Sequence, residues 1–224
     1  MTESSLHRAL KTYYAAAPEA ATEVNVDGYL IDVVRGDGGL VEIQTGNFGA
    51  LKPKLAALLP AHRLTLVYPI AVEKWLVKLP AEGDEPLERR RSPRRGRLAH
   101  VFTELVRIPD WLTHPHLRLE ALLIQTEELR RDDGRGSWRR KGWSIVDQRL
   151  LAVLDRVALE RPADFARFLP PSLPPSFTSH DLSKALGVRR NLAQRALYCL
   201  RCWELVEIES RGRRGYRYHI TFEG

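Results

Sequence analysis

The sequence predicts a mixed α/β domain followed by a small domain made of helices and a basic hairpin. Hydrophobic residues change from helical to strand-like spacing and back again within residues 4–79. A proline-rich stretch follows much later, at 170–176, where stacked prolines favour extended backbone over helix. We therefore expect one domain at 1–169 and a second at 177–224, with the proline-rich stretch as their linker.

The first part of the chain has the order helix, three strands, helix and strand. Ser4 or Ser5 caps the first helix, which Pro18 interrupts. A Val- and Ile-rich stretch follows, and its Asp-Gly and Gly-Asp-Gly-Gly sequences are typical of tight turns between strands. A second helix begins near Lys52, and a short apolar strand of the buried kind comes next. These elements are expected at residues 4–17, 22–45, 52–59 and 62–70.

The rest of the first domain is expected to extend this core, which covers residues 4–79. Its last segment predicts an edge strand, and the charged residues after it have almost nothing to bury. An extension of the domain then occupies 98–169. The expected elements are an edge strand at 73–79, a flexible excursion at 80–97, a helix at 98–106, a strand at 117–129, a loop or hairpin tip at 130–143, an amphipathic helix at 144–159 and a shorter helix at 163–169.

The chain is basic, with a net charge of +7 and a pI near 9.6. Its arginines are concentrated at 89–97, 130–141 and 189–217. Clustered guanidinium groups favour a polyanionic partner, although a basic solvated surface is the plain alternative. The sequence has no apolar run long enough to span a membrane and no signal peptide, so we expect a cytoplasmic protein with no membrane partner. Two cysteines do not make a disulfide framework.

The most informative motif is Asp32 followed by Glu42-Ile43-Gln44 across a glycine-rich turn. Side chains two apart in a strand share a face, so Glu42 and Gln44 point to the same side. A three-residue turn at 36–38 places Asp32 directly opposite Glu42, whereas a turn of even length places them on opposite faces. Two carboxylates directly opposite each other repel, and a bound cation relieves this repulsion. Mg²⁺ is a suitable cation, because it retains waters and so leaves room for a phosphate.

Asp32, the spacer and Glu42-Ile43-Gln44 between strands resemble the motif of the PD-(D/E)XK nuclease superfamily. The order of elements over residues 4–70 is similar to the restriction-endonuclease-like core of that superfamily. The resemblance implies that Asp32 and Glu42 bind Mg²⁺ or Mn²⁺. The plain alternative is that these side chains are polar residues on the solvated face of a hairpin.

Gln44 stands where the superfamily usually has lysine, although some of its restriction enzymes carry glutamine there. An ammonium group from Lys52 or Lys54, on the following helix, is an alternative source of the missing charge. Glu23, near the start of the sheet, is a further candidate metal ligand. His7, on the first helix, has two interpretations: exposure on the surface, which is the expectation, and an approach to the acidic site, which is the alternative.

The C-terminal domain has the order helix, turn, helix and basic hairpin, which is typical of a winged helix. Thr178 to Asp181 fit a capping box, and Gly187 predicts the turn between the helices. Arg, Asn and Gln are the side chains that contact base edges from a recognition helix, and a basic wing contacts phosphates. A protein-interaction module is the alternative. The candidate DNA-binding residues are Arg189, Arg190, Asn191, Gln194, Arg195, Arg211, Arg213 and Arg214.

The sequence therefore predicts a Mg²⁺- or Mn²⁺-dependent endonuclease, a hydrolase of DNA phosphodiester bonds that a winged helix targets to double-stranded DNA. In this hypothesis Asp32, Glu42, Gln44 and one of the two lysines form the catalytic site. Two alternatives stay open: a catalytically inactive DNA-binding regulator or assembly subunit, and a nuclease acting on RNA. A homodimer is compatible with cutting both strands, but no residue pattern indicates one.

Overall fold

The fold is built around one large sheet. The computed structural model describes residues 4–138, 142–213 and 215–221. The strands are β1 (Ala21–Val26), β2 (Tyr29–Val34), β3 (Leu40–Ile43), β4 (Leu64–Leu79), β5 (Glu88–Arg91), β6 (Leu117–Asp132), β7 (Trp143–Leu159), β8 (Phe177–Thr178), β9 (Val206–Gly212) and β10 (Gly215–Ile220). The α-helices are α1 (Ser5–Ala15), α2 (Lys52–Leu58), α3 (Phe102–Leu105), α4 (Ser179–Leu186) and α5 (Arg190–Cys202). Short 3₁₀ helices lie at Phe48–Leu51, Leu98–Val101, Pro109–Thr113 and Pro162–Phe168.

In the described part of the chain, seven strands form the large sheet in the order β1-β2-β3-β4-β6-β7, with β5 paired to β4. The central strands β3, β4 and β6 are parallel to one another, and the other pairs are antiparallel. α1 packs on one face of the sheet through Leu6, Leu10 and Tyr14. α2 packs on the other face through Leu55 and Leu58. The expected mixed α/β architecture with a mixed sheet is confirmed.

The turn between β2 and β3 has the three-residue length, and not the even length that the sequence left open as the alternative. The Arg35 N–H donates to the Gly39 carbonyl at 2.9 Å, and the Gly38 N–H donates to the Arg35 carbonyl at 2.9 Å. Gly38 has a φ of +78°, which glycine adopts without steric cost. The turn therefore contains the three residues from Gly36 to Gly38, and Asp32 and Glu42 fall opposite each other.

β4 is one strand, where the sequence predicted a buried strand followed by a separate edge strand at 73–79. It pairs with β6 along its whole length and with β5 at its far end, so its second half is not at an edge. The register shifts between Ala71 and Glu73, which marks a β-bulge at the point where the two predicted strands meet. The flexible excursion expected at 80–97 is also wrong in part, because β5 lies within it.

Residues 144–159 belong to a strand, and the amphipathic helix predicted there is wrong. β7 pairs with β6 along its length, and three register shifts leave Val146, Leu151 and Leu154 without a paired residue. The side chains of all three are exposed. Such β-bulges break the two-residue alternation of a strand, so the apolar pattern of this segment resembles a helical one.

The C-terminal elements follow the predicted order. The Thr178 hydroxyl accepts hydrogen bonds from the His180 and Asp181 N–H groups, and the Asp181 carboxylate accepts one from the Thr178 N–H, which completes the capping box. Gly187 ends α4 with a φ of +61°. β8, β10 and β9 form a second sheet in that order. β8 contacts α4, and β9 contacts α5.

The C-terminal elements share a hydrophobic core with the large sheet. The Trp203 ring lies 4.3 Å from the Phe165 ring and 6.3 Å from the Phe102 ring, measured between centroids. Its indole N–H donates to the buried Pro109 carbonyl at 2.9 Å. The C-terminal elements are thereby packed directly against the first domain. No helix among the described residues is both long and apolar enough to cross a membrane.

Candidate functional site

The structure brings Asp32 and Glu42 together on neighbouring strands. Val33 pairs with Val41 and Val34 with Leu40, and the same register continued by one residue sets Asp32 opposite Glu42. The Asp32 carboxylate turns toward the end of β3, where it accepts a hydrogen bond from the Ile43 N–H at 2.7 Å. The spacing of the sequence motif therefore produces an acidic pair at the junction of β2 and β3.

The Asp32 carboxylate is held in its ionised form. Burial opposes ionisation, but the hydrogen bond from His7 Nε2 at 2.9 Å and the one from the Ile43 N–H outweigh it. The pKa of Asp32 is therefore below its ordinary value of 3.8. His7 is only 25% exposed at its side chain, so the expectation of a surface histidine is wrong. α1 carries it onto the sheet beside the buried Leu6 and Leu10.

Glu42 is in the opposite electrostatic situation. Burial raises its pKa, the hydrogen bond from Lys54 lowers it, and the nearby Asp32 charge raises it again, so the net shift is upward. Lys54 Nζ donates to Glu42 Oε2 at 2.6 Å and to the Leu30 carbonyl at 2.6 Å. The two neighbouring carboxylates thus have pKa values pushed in opposite directions, a pattern that occurs at functional sites.

Lys54 and Lys52 are no longer equivalent candidates in the structure. Lys54 lies in the first turn of α2 and reaches Glu42, whereas the Lys52 side chain is exposed to solvent. The amide nitrogen of Gln44 is directed away from the acidic pair, because Nε2 donates to the Gly46 carbonyl at 2.5 Å. The positive group beside the pair therefore comes from α2 and not from β3.

Glu23 lies at the outer side of the same group of strands. The register of β1 with β2 sets it opposite Asp32, and its φ of +55° is unusual for a residue with a side chain. Its carboxylate accepts a hydrogen bond from Lys11 Nζ at 2.6 Å, and its side chain is 59% exposed. Glu23, Asp32 and Glu42 therefore lie on three successive strands, with the Glu23 side chain directed to Lys11 and exposed.

Asp32 and Glu42 supply two of the ligands that a small divalent cation needs, and the remaining ligands have to come from water or substrate. In the described residues, no group of three or more His, Cys, Asp or Glu side chains is arranged to hold a metal ion. Mg²⁺, however, is commonly bound by one or two carboxylates with retained waters, and Asp32 and Glu42 supply that donor set. Lys54 Nζ donates to Oε2 of Glu42, so a cation would bind through Oε1 of the same carboxylate.

We expect the Asp32 carboxylate to stabilise the metal-free fold at neutral pH and to lose this contribution in acid. Its pKa is depressed in the folded state, so the stabilisation is present above the ordinary value of 3.8 and disappears as the pH falls through the lower folded value. Urea unfolding with a chelator present should give a larger difference between the native protein and Asp32→Asn at about pH 7 than at about pH 3. An equal difference at both pH values would contradict the assignment, and His7→Gln should reduce the pH dependence.

The candidate DNA-binding residues of α5 have different environments. Asn191, Gln194 and Arg189 are exposed, as the recognition-helix prediction requires. Arg195 is partly buried and its guanidinium donates to the Thr103 carbonyl at 3.2 Å, so it also fixes α5 to α3. Arg190 Nε donates to Ser179 Oγ at 3.1 Å, across the turn between the helices.

The C-terminal hairpin of β9 and β10 carries exposed arginines. Arg211 lies 5.6 Å from the centroid of the Tyr216 ring, in a cation–π contact. Arg213 is exposed at the end of the hairpin, and Arg214 lies outside the described residues. The hairpin therefore presents positive charge at its tip.

Sequence analysis gave the approach of His7 to the site only as an alternative, and it did not divide the arginine-rich segment at 89–97. The signal for His7 was its spacing from Lys11, since residues four apart share one side of a helix. Both side chains contact acidic residues of the sheet, Asp32 and Glu23. No signal of this kind separates the arginines, because their partners are far away in the chain.

The fold and the acidic pair define a mixed α/β protein with a charged site between α1, α2 and two antiparallel strands. Residues 4–160 match a protein family described as "Domain of unknown function (DUF8091)", and the chain belongs to this family. It is also similar to a protein of Treponema pallidum (strain Nichols) described as an uncharacterized protein. The two are 36% identical over 196 residues, which cover 87% of this chain and 77% of the relative. No solved structure matches the chain.

Proposed function

We propose that this protein is a metal-dependent nuclease that hydrolyses DNA phosphodiester bonds. The observation that carries the proposal is the acidic pair of Asp32 and Glu42, with the ammonium of Lys54 bonded to Glu42 at 2.6 Å. Two adjacent carboxylates and one cation are the groups that phosphodiester hydrolysis needs: ligands for a metal and a positive charge for the phosphate.

The order of the elements supports a variant of the PD-(D/E)XK core. α1, the antiparallel strands β1 to β3, α2 and the parallel strand β4 follow in the order that the resemblance implies. The lysine usual at the position of Gln44 is missing, and Lys54 brings an ammonium to the same acidic pair from α2. In this proposal Lys54 supplies the positive charge of the motif from a different position in the sequence.

In this proposal Asp32 and Glu42 hold Mg²⁺ or Mn²⁺. When bound there, the metal supplies an activated water and neutralises charge on the phosphate. Lys54 leaves Glu42 to contact a phosphate oxygen and stabilises the charge that develops on it. His7 and the Ile43 N–H keep the Asp32 carboxylate ionised and oriented. Glu23 and Gln44 are candidates for an additional ligand and for orienting water.

The C-terminal elements are proposed to act as a winged helix that binds duplex DNA. The support is the order β8, α4, α5, β9 and β10, together with the exposed polar face of α5 and the arginines of the hairpin. Asn191 and Gln194 lie one helical turn apart on that face, where each can reach a base edge in the major groove.

The test is incubation of supercoiled plasmid with the full-length protein and Mg²⁺ or Mn²⁺. We expect nicking or linearisation by the native protein and a loss of about 100-fold or more in Asp32→Asn. Asp37→Asn is the matched control, because Asp37 is an exposed acid of the same hairpin whose carboxylate accepts a hydrogen bond from the Gly39 N–H of its own turn. Equal cutting by Asp32→Asn, or no metal-dependent cutting by the native protein, contradicts the proposal.

A second candidate function is a non-catalytic DNA-binding subunit. It is favoured by one observation: both carboxylates already have side-chain partners, His7 for Asp32 and Lys54 for Glu42. Calorimetric titration with Mn²⁺ separates the two functions. Heat of binding that disappears in Glu42→Gln supports the nuclease, and the absence of any such heat supports the non-catalytic subunit.

A further inference from the structure

A second charged site lies away from the acidic pair, in a groove between the loop that follows β5 and the beginning of α5. The groove has a volume of about 550 Å³. No aspartate or glutamate is among the described residues that line it. Its polar lining includes Arg94, Arg95, Arg97, Arg189, Asn191 and Arg195. We call these residues and the space between them the arginine groove.

The loop that forms one wall of the arginine groove is fixed to β4. The Ser92 N–H donates to the Lys74 carbonyl at 2.8 Å, and the Gly96 N–H donates to the Ala71 carbonyl at 2.8 Å. A side chain at Gly96 would place its Cβ 2.6 Å from that same Ala71 oxygen, so only glycine permits this close approach. The backbone is therefore held against the sheet while the side chains of Arg94 and Arg95 point outward and are exposed.

The opposite wall is fixed as well. Arg195 donates to the Thr103 carbonyl of α3, and Trp203 donates to the Pro109 carbonyl at the far end of α5. These contacts join α5 to the first domain both near its beginning and at its C-terminal end. The arginine groove is therefore a preformed surface, shared by the large sheet domain and the C-terminal elements.

The arginines on β5 form ion pairs, in contrast to those in the groove. Arg89 pairs with Glu127 at 2.8 Å, Arg91 pairs with Glu73, and both acids are on the large sheet. Within the described ranges, Arg94, Arg95 and Arg189 have no carboxylate at ion-pair distance. The fold has thus neutralised the first arginines of the 89–97 segment and left the last ones clustered without counter-charge, which favours an anionic ligand.

We propose that the arginine groove binds the phosphate backbone of duplex DNA, so that both parts of the chain contact one ligand. This inference rests on the proposed function for its choice of ligand. α3 connects the groove to the segment that follows the acidic pair. The loop after Gln44 is bonded to α3 through the Phe48 N–H and Glu104 at 3.1 Å, and the neighbouring Thr103 lines the groove.

The test compares two double variants of the full chain that lose the same charge, titrated with a labelled short duplex in the absence of divalent ions. Arg95→Ala with Arg189→Ala should weaken binding about 10-fold or more and reduce the slope of log affinity against log salt by about 2, if each arginine neutralises one phosphate. Arg89→Ala with Arg91→Ala is the control, and its affinity should stay within about twofold of the native value because those arginines are paired. Thermal unfolding verifies that both variants are folded.

Equal affinities of the two double variants would overturn the inference, as would the absence of duplex binding by the native protein. Inorganic phosphate distinguishes a small-anion site: displacement of the duplex at micromolar phosphate would also overturn it. Tighter binding of duplex RNA or of single strands would contradict the choice of ligand. Since cleavage needs a divalent ion and this titration has none, binding through the groove without any plasmid cleavage would remove the nuclease proposal and keep this inference.

Discussion

Lys54→Met is expected to lower the free energy of unfolding by about 3–5 kcal/mol at neutral pH. The side chains of Lys54 and Glu42 are only 14% and 11% exposed, and they pair at 2.6 Å. Methionine fills a similar volume but cannot donate a hydrogen bond, so it leaves the Glu42 carboxylate buried and without its cation. Urea unfolding followed by circular dichroism, with metal ions chelated, measures the loss.

The pH dependence and a double variant separate the ion pair from simple packing. Burial already raises the pKa of Glu42, and without Lys54 the pKa rises further. Below the ordinary pKa of 4.5, Glu42 is protonated in both the folded and the unfolded protein, so its buried charge no longer destabilises the fold. The loss of stability in Lys54→Met should therefore be smaller in acid than at neutral pH. Glu42→Gln combined with Lys54→Met should recover most of the stability. A loss below about 1 kcal/mol in the single variant would show that the pair is solvated.

Trp203→Ala is expected to lower the free energy of unfolding by about 3–5 kcal/mol, which is typical of removing a large buried aromatic side chain. The residue is 5% exposed and contacts the rings of Phe102 and Phe165, which belong to the first domain. Its indole N–H bonds to a buried carbonyl, and alanine leaves that acceptor without its donor. Urea unfolding followed by far-ultraviolet circular dichroism checks the expected loss.

The matched control is Tyr198→Ala, on the same helix. Tyr198 is 48% exposed, so its removal should change the stability by less than about 1 kcal/mol. Because the two parts of the chain share one core, Trp203→Ala should keep a single unfolding transition at a lower urea concentration. A separate early transition of the C-terminal elements would contradict the shared core, because only part of the chain would then depend on Trp203.

The acidic pair shows how far the sequence reaches into the site. Turn residues such as Gly36 and Gly38 act through local backbone geometry, so they restrict the hairpin to a few registers. The choice between odd and even turn lengths was left to the structure, and so was the choice between Lys52 and Lys54. The choice between the two lysines depends on where α2 sits against the sheet, and side-chain packing on the sheet determines that position. The same holds for His7, whose partner is 25 residues away in the chain.

The arginine-rich segment at 89–97 was beyond sequence analysis for a related reason. Its residues are nearly identical in chemistry, yet the pairing of β5 with β4 brings Arg89 and Arg91 to acids of the large sheet. Gly96 then lets the chain approach β4 closely and turns the following arginine toward α5. Whether an arginine is neutralised depends on long-range strand pairing, which leaves no periodic signal in the segment itself.

The sequence by itself determined the local features of this protein: the first helix and its cap, the presence of a glycine-rich turn between β2 and β3, and the helices and hairpin of the C-terminal part. Each of these depends on interactions between residues close in the chain. Tertiary structure decided that residues 144–159 form a strand, because pairing with β6 and three β-bulges outweigh the helical spacing of the apolar residues. It also decided which lysine meets Glu42 and which arginines remain unpaired, since those contacts join residues that only the folded sheet brings together.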